Sequence, residues 1–190
     1  MSKSKKICFM YTDTNGLHEL NEDVSKKNLF GFARLVSLNY EIGYVDNDKF
    51  ISEINKKIII KPRCMYISDE SIKIHNITNE IAQEKGEDIE ETLTTFLKDI
   101  NNVNVIVSHN VVFHLRAIQG ELIRYNIQFN FKKFIIIDTI SFFHNLSFPK
   151  LKDLYEKLTN KKAKNKSQLE LIRRCFFNLY YQYESTINLH

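Results

Sequence analysis

Short apolar runs with β-forming residues dominate the first third of the chain. Residues 6–12 form one such run, and residues 56–62, KKIIIKP, form another that its proline ends. Between residues 28 and 44 apolar positions alternate loosely, as in a strand or a hairpin. The pattern therefore predicts three strands before the first helix.

Helical spacing of apolar residues begins near residue 88. Residues 88–100 place Ile89, Leu93 and Phe96 on one face, with acidic residues in the first turn, which predicts an amphipathic helix. Residues 103–110 and 134–139 are apolar enough for buried strands, and residues 111–125 between them read as a helix.

Two further helices are predicted near the C-terminus. Ser147 can cap a helix over residues 148–158 with Pro149 in its first turn, and residues 167–183 form the closing helix. Strands first, followed by strands alternating with helices, indicate an α/β fold with a mixed sheet.

The composition suits one soluble domain over residues 1–190. The chain has 43% hydrophobic residues, enough for one well-buried core. Its cysteines, Cys8, Cys64 and Cys175, form no CxxC pair, so we expect neither a disulfide framework nor a zinc knuckle. The chain has no apolar run of membrane-spanning length and no signal-peptide pattern. We therefore expect an intracellular protein with no membrane partner.

Positive charge is concentrated in residues 150–174, which we call the basic segment. This segment carries nine lysines and arginines against three acids, whereas residues 1–149 are nearly neutral. A local excess of positive charge is typical of a surface that faces an anionic partner.

Four segments, in order, resemble motifs of one enzyme family. They are YTDTNGL at residues 11–17, IHNIT at 74–78, SHNVVFHLRAI at 108–118 and IIIDTISFF at 135–143. Together they resemble the DEDD superfamily of 3′-to-5′ exonucleases, in its DnaQ-like or RNase T-like branch. The resemblance implies a ribonuclease H-like fold, an α/β architecture whose mixed five-stranded sheet is flanked by helices.

The chemistry of that superfamily depends on four acids and one histidine. The acids hold two divalent ions, Mg or Mn, that clamp the scissile phosphate, and the histidine acts as general base on the attacking water. By the resemblance, these positions correspond here to Tyr11, Asp13, His114, Ala163 and Gln168. One acid of the four remains, together with no general base.

A single carboxylate cannot supply the oxygen ligands that two Mg ions need. We therefore predict a catalytically inactive exonuclease-like protein with no metal cofactor, in which Asp13 is a remnant. The alternative is an active enzyme that uses Mg or Mn at a rearranged site, with Asp13, Glu19, Asp138 or Glu170 recruited. A softer metal on Asp13, His114 and a cysteine is a weaker hypothesis, since a lone histidine on a helix is usually an interior residue.

Several polar residues in the motifs have simpler structural interpretations. Asp138, at the end of a strand, is expected to cap the next helix. His75 with Asn76 and His109 with Asn110 are expected to pack or to fix turns.

The predicted partner is nucleic acid, as a single strand or a 3′ end, or a protein of a nucleic-acid-processing assembly. In the family the loop before the last helix borders the substrate groove, which favours contacts from Lys161, Lys162, Lys164, Lys166, Arg173 and Arg174. The same loop could instead be a solvated run of charge. Five aromatic residues could stack bases, although in helices such residues are more often core or interface; they also suggest a homodimer or a partner contact: Phe142, Phe143, Tyr180, Tyr181 and Tyr183.

Overall fold

The computed structural model describes residues 5–141 and 149–182, with side chains as far as residue 180. Its strands are β1 (Lys6–Thr14), β2 (Leu35–Asp46), β3 (Lys49–Ile59), β4 (Val105–Ser108) and β5 (Ile135–Asp138). Its helices are α1 (Asp69–His75), α2 (Asn79–Lys85), α3 (Ile89–Asp99), α4 (Val111–Arg124), α5 (Leu151–Thr159) and α6 (Gln168–Gln182).

The strands form one mixed sheet in the order β3-β2-β1-β4-β5. Strand β2 is antiparallel to both of its neighbours, β1 and β3, whereas β1, β4 and β5 run parallel. This sheet confirms the predicted α/β fold with five strands. Because the three parallel strands end at the same edge, the residues that follow β1 and β4 lie side by side there.

The sheet separates two apolar layers. On one side Met10 and Ile106 of the sheet pack with Phe96 of α3 and Ile118 of α4. On the other side Phe9 and Val107 pack with residues of α5 and α6 such as Phe176, whose ring lies 5.5 Å from that of Phe9. Alternate residues of β1 therefore face opposite layers, as the pleat of a strand requires.

The sequence pattern underestimated the hairpin of β2 and β3. The predicted strand at 56–62 overlaps only the last four residues of β3, which runs from Lys49 to Ile59. The turn lies at Asn47 and Asp48, whose φ angles of 45° and 60° are typical of a two-residue hairpin turn. The polar outward positions of β3 hid its first half from an apolar pattern.

The sequence pattern also missed two short helices. Ser68 caps α1 and accepts a hydrogen bond from the Ser71 N–H, and Thr78 caps α2 in the same way. Each helix has seven residues, too few for a clear apolar period. In the sequence, only the capping residues indicate where these helices begin.

Two predictions near the C-terminus were wrong in detail. Strand β5 is an edge strand, so Ile135 is 52% exposed rather than buried. Helix α5 begins at Leu151 with Lys150 as its N-cap, so Pro149 precedes the helix. Ser147, the predicted cap, lies outside the described residues. Within the described ranges, no helix combines the length and apolarity that a membrane span requires.

Candidate functional site

A groove of about 750 Å³ opens at the edge where the parallel strands end. The end of β1 forms its floor, and α1, α4, α5 and the start of α6 form its walls. Four of the five positions that the resemblance assigns to catalytic residues line this groove: Tyr11, Asp13, His114 and Gln168. The fold therefore brings these distant residues together, as the resemblance implies.

Ala163, the fifth position, is not among the residues that line the groove. It is buried in the apolar layer of α5 and α6, and its backbone N–H donates to a Glu156 carboxylate oxygen at 3.1 Å. Gln168, in contrast, is the exposed first residue of α6 and faces the groove.

Asp13 is tied into the sheet by its neighbours on β2. The Ser37 hydroxyl donates to Asp13 Oδ2 at 2.5 Å, and the Asn39 amide donates in turn to Ser37 Oγ at 2.7 Å. Burial raises the pKa of Asp13, which the Ser37 hydrogen bond only partly counters. Burial, and then the charge of Asp13, raise the pKa of Tyr11 to about 12, so Tyr11 keeps its proton at neutral pH.

His114 uses both ring nitrogens inside the protein. Its Nδ1 accepts from the Thr12 backbone N–H at 3.0 Å and lies 2.9 Å from the Thr12 hydroxyl. Its Nε2 lies 3.2 Å from the His109 carbonyl oxygen, which fixes the neutral tautomer with the proton on Nε2. Burial, the largest cause, lowers the pKa of His114 to about 4. The ring therefore bonds the end of β1 to α4, and neither nitrogen is left for a softer metal.

Asp138 holds the start of α4. Its Oδ1 accepts from the Asn110 N–H at 2.9 Å, and its Oδ2 accepts from the Val111 N–H at 2.8 Å. Its Oδ1 also accepts from the Ile140 N–H at 3.0 Å, in the turn after β5. Its expected role as the cap of the following helix stays a prediction, because residues 142–148 lie outside the described residues. His109 links two other segments: its Nδ1 lies 2.8 Å from the Thr139 hydroxyl, and its Nε2 lies 2.8 Å from the Pro149 carbonyl. These side chains fix the backbone around the groove.

The groove does not fit the two divalent ions of the family. Among the described residues, no three His, Cys, Asp or Glu side chains come together as metal ligands would. Asp13, Glu70 and Asp153 each line the groove, on separate elements. Of the other acids considered for a rearranged site, Asp138 caps α4 and Glu170 pairs with Lys166 and Arg174. Glu19 lines a different cavity.

His75 presents a hydrogen-bonding group that the sequence prediction had assigned to packing. Its Nδ1 accepts from the Ile77 N–H at 3.1 Å, so the neutral ring carries its proton on Nε2. This Nε2 is buried and has no hydrogen-bond partner among the described residues, and His75 lines the groove. The IHNIT segment was the signal for this residue.

Apolar side chains form the rim of the groove. Leu17 is 81% exposed and Ile74 is 77% exposed, and both line the cavity with Phe113. The His18 ring stacks on Phe113 at 4.4 Å, and its Nε2 lies 2.9 Å from the Phe113 carbonyl oxygen. Exposed apolar residues that share one rim are typical of a binding surface.

At least four of the nine basic residues of the basic segment pair with acids in the described part of the chain: Lys162, Lys166, Arg173 and Arg174. Lys162 lies 3.0 Å from Glu156, Lys166 lies 3.4 Å from Glu170, and Arg174 lies 2.8 Å from Glu170. Arg173 lies 3.2 Å from Glu41 of β2 and packs over the Phe50 ring.

The lysines that line the groove are not those of the predicted loop. Residues 161–166 do not line it, whereas the exposed Lys150 and Lys152, at the start of α5, do. Charge and spacing along the chain do not distinguish these two lysines from their basic neighbours. The predicted role of the lysines at residues 161–166 in contacting nucleic acid stays a prediction.

The aromatic residues proposed as a dimer contact are described only in part. Tyr180 is 5% exposed and its ring stacks on Phe176 at 6.0 Å, so it belongs to the core. Phe142, Phe143 and Tyr183 lie outside the described residues, and the side chain of Tyr181 does as well.

Comparison with solved structures finds the same fold in nucleases. The chain aligns with product-bound exonuclease I at a TM-score of 0.70 and 13% identity, covering 94% of this chain and 44% of that one. It aligns with the nuclease domain of 3′hExo, a DEDDh family member bound to rAMP, at a TM-score of 0.68 and 11% identity, covering 100% and 96%. E. coli exonuclease I with a 5cy-dA13 oligonucleotide aligns at a TM-score of 0.68 and 14% identity, covering 93% and 40%.

The chain thus spans less than half the length of exonuclease I. No curated protein sequence matches it significantly. The family model of the RNase T exonucleases matches residues 31–165, a range that includes His114 and Ala163 and begins after Tyr11 and Asp13. By this match the chain belongs to the RNase T exonuclease family.

Proposed function

We propose that this protein binds the 3′ end of a single-stranded nucleic acid in the groove and does not cleave it. The observation that carries the proposal is the state of His114, whose two nitrogens bond backbone groups at a position where the family has a metal-binding acid. A side chain that holds β1 to α4 is committed to structure. Related structures contain an oligonucleotide or a nucleotide, which suggests the class of ligand.

The remaining groove residues favour binding over hydrolysis. Tyr11 keeps its proton and can donate a hydrogen bond to a phosphate oxygen. Lys150 and Lys152 add positive charge to the same groove. The exposed rim residues Leu17 and Ile74 offer apolar surface to a base. Phosphate contacts and base packing are the two usual sources of single-strand affinity.

An active enzyme is the second candidate, because Asp13, Glu70 and Asp153 all line the groove. To bind metal ions, those carboxylates would have to move together, because among the described residues they do not form a cluster of three ligands. Activity of this kind would depend on Mg or Mn and would be lost in Asp13→Ala.

The test combines a nuclease assay with a binding assay on 5′-labelled single strands. We expect no shortening from the 3′ end in Mg or Mn, and tighter binding of a linear strand than of a circular strand of the same sequence. Ile74→Ala should weaken binding by about 5-fold, the loss expected for one packed base. The matched control is Ile135→Ala, an exposed isoleucine on β5 that does not line the groove.

Metal-dependent shortening that Asp13→Ala abolishes would overturn the inactive assignment and favour the second candidate. Shortening that survives in Asp13→Ala identifies a contaminating nuclease, and the assay is then repeated on repurified protein. If neither linear nor circular strands bind, the groove serves a protein partner instead.

A further inference from the structure

A second cavity of about 440 Å³ lies beside the groove, in the connection between β1 and β2. Residues 15–34 enclose most of it, and α4 contributes Arg124. Hydrogen bonds hold this connection in place: the Ala33 N–H donates to His18 Nδ1 at 3.1 Å, and the Arg34 N–H donates to the Asn15 side chain at 2.8 Å. The cavity is therefore part of the fold, and most of its lining lies outside the family motifs, although Asn15, Gly16 and Leu17 belong to the first of them.

The mouth of this cavity carries an unusually exposed aromatic ring. Phe30 is 81% exposed, and so is Leu17 on the opposite side. Burying a large apolar side chain is favourable by about 2 kcal/mol, so a ring left in water beside a cavity can gain from a flat ligand. Nucleobases stack on such rings whatever their sequence.

The floor carries two arginines in fixed positions. Arg34 Nε lies 2.6 Å from Glu121 Oε1, and Arg124 lies 3.3 Å from the same oxygen. Arg124 also donates to the backbone carbonyls of Leu29 and Phe32. Two guanidinium groups share one buried carboxylate, which leaves one positive charge on the floor. Glu19, which is exposed, also lines the cavity.

The two cavities adjoin. Gly16 and Leu17 line both of them, and a Cβ placed on Gly16 would meet no other atom within 4 Å. Backbone of an extended ligand can therefore cross between them at Gly16, with Leu17 standing as a ridge between neighbouring bases.

We propose that the cavity beside the groove binds the next nucleotide of the strand, with its base on Phe30 and its phosphate facing Arg34 and Arg124. This inference rests on the proposed function, because it assigns the adjoining unit of the strand that the groove would hold. It extends the recognition surface from the first family motif, which supplies Gly16 and Leu17, into the rest of the β1–β2 connection.

The experiment is an abasic scan of an oligothymidylate of about ten nucleotides, a length within the usual range of single-strand sites. Removing the base that stacks on Phe30 should weaken binding by about 5-fold or more, and that position should stand out in the scan. In Phe30→Ala the same abasic position should cost nothing further, because its partner is already gone. Tyr66→Ala, which removes an aromatic ring that is 69% exposed and lines neither cavity, should keep the original profile.

A charge variant tests the phosphate separately. Glu19→Gln removes the exposed carboxylate of the cavity and should tighten binding by about 2-fold at low salt, as expected for the loss of one exposed like-charge repulsion. Unchanged affinity would show that no phosphate faces this cavity.

The two proposals fail in different ways. If Ile74→Ala weakens binding and Phe30→Ala leaves both affinity and scan unchanged, the groove binds the strand and the second cavity does not. If Phe30→Ala removes the affinity loss at one abasic position while Ile74→Ala leaves the affinity unchanged, the proposal for the second cavity is supported and the proposal for the groove is not. If the parent binds no strand, both proposals fall.

Discussion

The same family resemblance points to the groove and to the basic segment as functional regions. Their polar side chains differ in burial and in hydrogen bonding. In the groove, Asp13 and His114 are partly buried and bonded to β2, to β1 and to α4. In the basic segment, Lys161 and Lys164 are exposed, and Lys162 and Arg174 pair with acids of the same surface. The polar side chains of the groove are thus part of the scaffold, whereas Lys161 and Lys164 lie at the surface.

The largest expected effect is on the stability of the groove. His114→Ala leaves the Thr12 N–H and the His109 carbonyl without their partner and opens a cavity beside them. We expect the free energy of unfolding to fall by about 3 kcal/mol, as for a buried group with two lost hydrogen bonds. Urea denaturation measures it.

The matched change in the basic segment is Lys161→Ala with Lys164→Ala, both at exposed positions. This double variant should stay within about 0.5 kcal/mol of the parent. Equal stability of the two variants would remove the distinction between the regions.

The second prediction concerns pH. The pKa of His114 is about 4 in the folded protein against an ordinary 6.5, because burial disfavours the charged ring. Its contribution to stability is therefore complete above pH 6.5 and is lost as the pH falls toward 4, since the unfolded chain takes up the proton first. Between pH 7 and pH 5 the loss should be about 2 kcal/mol.

A nontitrating variant isolates this contribution. His114→Gln should show a smaller loss of stability between pH 7 and pH 5 than the parent. Some loss should remain, because burial also lowers the pKa of His18 and of His109. An unchanged pH profile in His114→Gln would show that the ring is already protonated or accessible in the folded state.

A smaller effect of opposite sign is expected at Asp13. Burial raises the pKa of its carboxyl, so the charged form opposes folding at neutral pH and this penalty disappears as the pH falls. Asp13→Asn should therefore stabilise the protein at pH 7, and its advantage should shrink in acid. Destabilisation at pH 7 would mean that the charge of Asp13 holds a cation or another essential partner. Parallel urea titrations at several pH values decide this.

The sequence predicted the fold well where apolar runs and motifs coincide. The buried strand β4 and the helices α3, α4 and α6 lie where their patterns place them, because each buries a clear apolar face. The prediction failed where position in the sheet decides exposure. Ile135 belongs to an apolar run that is typical of a buried strand, but nothing in the described residues covers the sheet edge on which it lies.

The sequence predicted which positions belong to the site, but not how their side chains are arranged or which hydrogen bonds they form. The motifs singled out Tyr11, Asp13 and His114, which all line the groove. They could not show that His114 bonds Thr12, a contact across 102 residues. Nor could they separate Lys150 from Lys161, because charge in a sequence does not indicate which way a helix terminus points.

The smallest expected effect tests which cations contact a strand. If the groove binds nucleic acid, Lys150→Ala with Lys152→Ala should remove phosphate contacts, and each lost contact should lower the slope of log K against log salt by about 0.7. The pair should therefore flatten the slope by about 1.4 and weaken all sequences alike, because phosphate contacts carry no sequence information. Lys161→Ala with Lys164→Ala removes the same charge from a loop that does not line the groove, so its slope should follow the parent. Anisotropy titrations across salt concentrations measure both slopes. A larger change in the Lys161 and Lys164 variant would instead place the strand along the loop, as the family resemblance first suggested.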